Sequence, residues 1–174
     1  YTYVTAFLTD VSGLATHLVG LALLVRGVAG TVGVVLGGRL VRRRARRAIP
    51  AMVLLQTLAF AALSVIGGIG HGVARALGGT AVAAVVLVAV AGLAFSALTA
   101  LLAGEVFDIA PASPDLAAAG TSTAVNSGIA AGAFVGGALL SSYGPQGTVV
   151  SAALASAVAF AVLRIAPRRT PRTK

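Results

Sequence analysis

Five stretches of this chain run for roughly 18 residues or more with almost no charge, long enough to approach or exceed the length a helix needs to cross a bilayer. They are Leu18–Gly38, Ala48–Ile69, Thr80–Gly104, Ala117–Leu140 and Thr148–Ile165. A sixth apolar segment, Tyr1–Val11, is too short to cross, and it is expected to be the end of a helix that begins upstream. A spanning segment must satisfy its backbone within itself or within a closed barrel. Barrel strands alternate over about 10 residues, a pattern these unbroken runs lack. The expected fold is therefore all-α, a polytopic transmembrane helix bundle occupying residues 1–166, with a basic tail over 167–174 that is expected to be disordered.

Composition agrees. The chain is 58% hydrophobic and only 10% charged, whereas soluble domains carry about 25% charged residues. The net charge of +9 comes mainly from two clusters, Arg39–Arg47 and Arg164–Lys174, each directly after an apolar run. Such juxtamembrane charge orients a protein and attracts anionic headgroups of the lipid bilayer. No nucleic-acid partner is implied, because no aromatic-interleaved basic face accompanies the clusters. Four crossings separate them, so both fall on one side, which the positive-inside rule makes cytoplasmic. The linker Glu105–Asp115 shares that side and holds three of the four acids, while Asp10–His17, the His71–Arg75 linker and Ser141–Gly147 fall opposite. A multi-pass protein of the cell inner membrane with a cytoplasmic C-terminus is expected. No basic region precedes Tyr1, so no signal peptide is expected.

Within the spans, Arg26 is the costly residue: an arginine at the bilayer centre is unfavourable by about 2.5–3.5 kcal/mol on insertion scales. Gly30, Gly33 and Gly37 follow it on one helical stripe, a surface that admits a neighbouring helix or a water-filled space. Arg26 thus faces inward, either as a cavity residue that meets an anionic group or as a structural arginine on backbone carbonyls. In Ala117–Leu140, Ser122 and Asn126 form a polar face, while Gly128, Gly132 and Gly136 form a small face about 200° away that suits close helix packing. Gln56 and the Gly92–Ser96–Thr99 stripe are weaker candidates, since Ser and Thr often bond their own helix carbonyls. No carboxylate lies within a full span. Neither histidine is grouped with a Ser, an acid or a second His, so no enzyme chemistry, metal site or cofactor is implied. Cysteine is absent.

The segment Gly37-Gly38-Arg39-Leu40-Val41-Arg42-Arg43-Arg44-Ala45-Arg46-Arg47 resembles the cytoplasmic loop motif of the major facilitator superfamily, G-x-L-a-D-r-x-G-r-k. Gly38, Leu40, Arg43, Arg46 and Arg47 fall on motif positions, while Arg42 replaces the aspartate and Ala45 the glycine. Tyr1–Leu14 looks like the end of helix 7 of bacterial drug and sugar efflux members, and the run from Asn126 to Gly137 looks like their helix 11. The resemblance implies the C-terminal half, part of helix 7 through helix 12, of a twelve-helix secondary transporter with a substrate cavity between its halves. It further implies a small-molecule substrate, a drug or sugar, exported in exchange for protons. The partner would be a missing N-terminal half, which would also hold the proton-carrying acid. Glu105 and Asp108 then become possible gate partners of the arginine cluster. The alternative is a non-transporting membrane scaffold with a similar bundle, and Arg26 on its glycine stripe favours transport.

Overall fold

A computed structural model describes residues 4–68, 80–109 and 112–165, the side chains at 42–44, 46 and 109 excepted. The His71–Arg75 linker, the tail 167–174 and the side chains of Arg43 and Arg46 therefore lie outside the described residues. Among those described, every regular element is helical. A short helix α1 (Val4–Ala6) runs into a π-helical turn (Phe7–Val11) and, after a 3-10 turn (Thr16–Leu18), into α2 (Val19–Gly68). Helices α3 (Thr80–Ile109) and α4 (Pro114–Ile165) complete the bundle. These helices contain four segments long and apolar enough to cross a membrane.

The range of α2 doubles back on itself, so it is two helical arms forming a hairpin. Ala22 and Leu63 belong to one buried cluster, whereas a straight helix rising 1.5 Å per residue would hold them roughly 60 Å apart. Its arms are Thr16–Val41 and Arg47–Gly68. The basic stretch expected as a linker over Arg39–Arg47 contains the junction of the two arms. Pro50 falls in the first turn of the second arm, where its missing N–H leaves no bond unmade.

The first arm packs on α3 in parallel. Arg26 lies against Gly92, Gly30 against Ser96, Gly37 against Ala97 and Val41 against Gly104, partner numbers rising together. The approach is backbone to backbone at its centre. A Cβ placed on Gly33 would overlap the Leu93 carbonyl, and one on Gly37 would stand 2.6 Å from Ala97 O and 2.9 Å from Ala100 Cβ. On α3, a Cβ on Gly104 would stand 2.6 Å from Val41 Cγ1. Only residues without side chains allow helices this close, and in lipid the resulting dispersion contact is a main source of association. The second arm returns antiparallel, so that Ala48 meets Leu101 and Leu63 joins Val88 in the core.

Phe7, Leu8 and Val11 fill the far end of this three-helix layer, each nearly or fully buried against Ala22, Leu63 and Ala84. The turn after them closes when Ser12 N donates to Phe7 O at 3.0 Å and Leu14 N to Leu8 O at 2.9 Å. Gly13 supplies the positive φ of 73° that this helix end needs.

α4 is also doubled. It breaks at Gly144, whose φ of 68° and ψ of −172° lie outside the helical region, and Pro145 starts the second arm with its φ preset. Gln146 then clamps this arm to the end of α2. With its amide oriented to suit its neighbours, Nε2 donates to Gly67 O at 3.0 Å and Oε1 accepts from Gly68 N at 3.1 Å.

The outer side of the first α2 arm exposes Leu21, Leu24, Val28, Val32 and Val35, with Leu24 61% accessible. An unbroken stripe of this kind marks a surface whose solvent is lipid or another apolar helix. Replacing Gly33 by Val should lower the thermal unfolding midpoint in detergent, equivalent to about 1–3 kcal/mol of overpacking. Gly20→Val, where nothing lies within 4 Å, should leave it nearly unchanged; equal shifts for the two would contradict the parallel glycine contact.

Candidate functional site

Where α3 and the second α2 arm face α4, the helices do not close, and they leave a cavity of about 560 Å³. Gln56, Phe60 and Leu63 line it from α2, Val88 and Phe95 from α3, and Phe7 from the N-terminal segment. The opposite wall is the glycine face of α4, where Gly128, Gly132 and Gly136 alternate with Ile129 and Val135. This face was expected to pack tightly. Instead no neighbouring atom lies within 4 Å of where a Cβ on Gly128 or Gly132 would stand, so these glycines widen the cavity instead of closing a helix contact.

Polar groups are scarce on the lining. The Thr148 hydroxyl donates to Pro145 O at 2.6 Å and the Ser151 hydroxyl to Thr148 O at 2.8 Å, so both are committed to their own helix. Gln56 is half-buried, and its Oε1 is enclosed without a hydrogen-bond partner among the described residues. An enclosed acceptor in that condition costs roughly 1–3 kcal/mol. Gln56, Thr148 and Ser151 are thus the polar residues of a mostly apolar lining.

Arg26 occupies a different place. It sits on the α2–α3 contact, not on the cavity lining, with Nε enclosed. Gly92 makes its seat: a Cβ there would stand 3.0 Å from Arg26 Cγ and 3.6 Å from Nε. The weakly regarded stripe on α3 is therefore the complement of the Arg26 stripe, with Gly92 opposite Arg26 and Ser96 Oγ 3.1 Å from a Cβ on Gly30. Thr99 turns back to Phe95 O at 2.8 Å.

Ser122 and Asn126 are exposed on α4 and are not among the residues that line the cavity. At the end of the bundle marked by Val41 and Gly104, Arg39 and Arg47 are exposed, Glu105 is half-buried and Asp108 is exposed. Gly38 is exposed, and Leu40 packs on the cluster of Ala45, Ala48 and Leu101. The candidates thus fall into four places: the α2–α3 contact, the cavity, an exposed stretch of α4 and the charged end. No group of three or more His, Cys, Asp or Glu residues capable of holding a metal occurs among the described residues.

Sequence reasoning missed Phe7, Phe60 and Phe95 as cavity residues and Gly92 as the seat of Arg26. The aromatic residues look like any other apolar residue in a span, and only Gly92, a glycine interrupting an apolar helix, carried a signal.

Over 144 residues the chain is 29% identical to a protein of Mannheimia succiniciproducens named "Probable sugar efflux transporter". That alignment covers 83% of this chain and 34% of the relative, so the chain corresponds to about a third of that protein's length. No family model matches, and no solved structure matches.

Because Gly92 makes room for Arg26, Gly92→Val should destabilise the protein by about 1–3 kcal/mol. Adding Arg26→Ala should recover part of that loss. A double-mutant cycle in detergent checks the pair, and strictly additive effects would show that Arg26 and Gly92 do not share this contact.

Proposed function

We propose that this chain is the C-terminal half of a secondary active transporter of the major facilitator superfamily, which exports a drug or sugar in exchange for protons by alternating access. The observation that carries the reading is the similarity to a probable sugar efflux transporter along 83% of the chain. The long apolar helices support it, since a chain solvated by lipid on most of its surface belongs in a bilayer. The loop-motif residues Gly38, Leu40, Arg43, Arg46 and Arg47 support the family assignment.

In this reading the protein is a multi-pass component of the cell inner membrane, and the basic clusters favour a cytoplasmic position for the arginine turn and the C-terminus. Ser122 and Asn126, polar residues on an exposed helix face, line the substrate path between this half and the other. Arg26 supplies an interior positive charge, which either meets an anionic group or holds α2 and α3 in the arrangement that transport requires. Glu105 and Asp108, at the same end of the bundle as Arg39 and Arg47, form the cytoplasmic latch with the arginine cluster. Exposed pairs contribute about 0–1 kcal/mol each, so the latch acts only as a set.

The full-length protein, reconstituted in proteoliposomes with an imposed pH gradient, should move a labelled sugar or a cationic dye, and a protonophore should abolish the movement. Arg26→Ala should reduce the rate by about tenfold or more, the equivalent of roughly 1.4 kcal/mol. Joint replacement of Glu105 by Gln and Asp108 by Asn should have a smaller effect. This chain has no cysteine, so Asn126→Cys is a clean probe once any cysteine elsewhere in the full-length protein has been replaced. Its labelling by an impermeant maleimide should change when the gradient is reversed, and constant labelling with no gradient-driven flux would overturn the transporter reading.

A further inference from the structure

We propose that the gap bordered by α2, α3 and α4 is the seat of a further helix of this same protein, the apolar segment that precedes this sequence in the full-length chain, and not a site for a small ligand. The inference rests on reading this chain as the C-terminal part of a longer protein, and it adds where the preceding segment goes and what it meets there.

Three observations carry it. The first is direction. The turn at Ser12 and Gly13 closes the N-terminal segment at the end of the bundle where Phe7 packs against Gly67. The other end of that segment therefore points back into the bundle, and Val4 and Phe7 both border the gap. A helix extended backwards from Val4 runs along it. Ala84, in one cluster with Phe7, and Phe95, on the lining, are roughly 16 Å apart along α3, a length that about eleven helical residues counted back from Phe7 would cover.

The second observation is the surface left uncovered. Of the described residues of α4, only Gly136 and Thr148 are buried, and no atom lies within 4 Å of a Cβ placed on Gly128 or Gly132. The first α2 arm shows what a glycine stripe accepts in this bundle: Gly33 and Gly37 seat a parallel helix backbone to backbone. The first arm of α4 ends at Gly144, next to the Gln146 clamp on Gly67, which is the end where the N-terminal segment also turns. A helix leading into Val4 thus lies parallel to that arm, with the glycine face as its seat. Its own backbone bonds are internal, so a mostly apolar lining suits it.

The third observation is the amount of chain available. The matched region is 34% of the length of the sugar efflux relative, so a protein of that size has ample chain outside this sequence to supply one more helix.

The test uses the full-length protein in detergent, with any cysteine elsewhere replaced. Ile129→Cys, on the lining, is paired in turn with a single cysteine at each of about ten positions preceding Tyr1, and disulfides are driven with copper phenanthroline. They should form within one molecule and recur every three or four positions, the period of a helix. Phe134→Cys, 80% exposed and off the lining, should give far lower yields with the same partners. Gly132→Leu should lower the thermal unfolding midpoint by several degrees, because a neighbouring helix stands where the leucine would go. In an empty gap the same change replaces a poor helix former with a good one and raises the midpoint. Should Gly132→Leu fail to fold, the disulfide pattern, measured with the glycines intact, decides.

Absence of periodic disulfides with Ile129→Cys, or a midpoint raised by Gly132→Leu, overturns the proposal. Disulfide-linked dimers of Ile129→Cys alone would overturn it in favour of a second copy of the chain. Phospholipid retained in native mass spectrometry and lost in Gly132→Leu, with no disulfides, would overturn it in favour of an acyl chain. Periodic disulfides without proton-driven flux would sink the transporter reading alone, and flux without them would sink this one alone.

Discussion

The contact of the first α2 arm with α3 decides most of what this chain does in space. Gly33 and Gly37 bring the two backbones so near that no Cβ fits between them and Leu93 or Ala97. In lipid, apolar side chains gain little from leaving their surroundings, so close dispersion contact has to do what the hydrophobic effect does in water. The contact is also parallel, and that has a topological consequence. A parallel pair must be joined by a segment that crosses back, and the second arm of α2 is that segment. Its antiparallel return places Ala48 on Leu101 and Leu63 beside Val88.

Glycine serves two opposite purposes in this bundle. Along α2 it removes the space between helices; along α4 it creates space. Gly128 and Gly132 have no neighbour within 4 Å of a would-be Cβ and instead shape the wall of the cavity. The difference arises from where α4 is held. The Gln146 amide ties it to the end of α2 at Gly67 and Gly68, with Phe7 packed against Gly67 beside it. α4 packs more on α2 than on α3. Phenylalanines from the other elements border the gap that α4 leaves beside α3.

Charge follows the same division between interior and end. Arg26 is accommodated because α3 offers a glycine opposite its side chain, so its stem lies against backbone where a bulkier residue would stand. Arg164, near the end of α4, lies 5.7 Å from the centre of the Phe160 ring, an aromatic contact that favours a cation at a helix terminus. The exposed Arg39 and Arg47 share one end of the bundle with the half-buried Glu105 and the exposed Asp108, so both signs of charge gather there.

Length and composition by themselves determined the class: runs of apolar residues this long admit only helices, and the described residues are all-helical. Helical periodicity also grouped Arg26 with Gly30, Gly33 and Gly37 on one face, because a 3.6-residue repeat is a local property of the backbone. What it could not supply was the partner of each face. The Gly128 stripe read as a packing surface and the structure opens it to a cavity, while the Gly92 stripe read as incidental and it receives Arg26. The stretch expected as a linker at Arg39–Arg47 contains the point where the two arms of α2 join. Periodicity specifies the angle at which residues leave one helix. Which neighbour they meet depends on the register and rotation of a second helix dozens of residues away, and only the assembled bundle sets those.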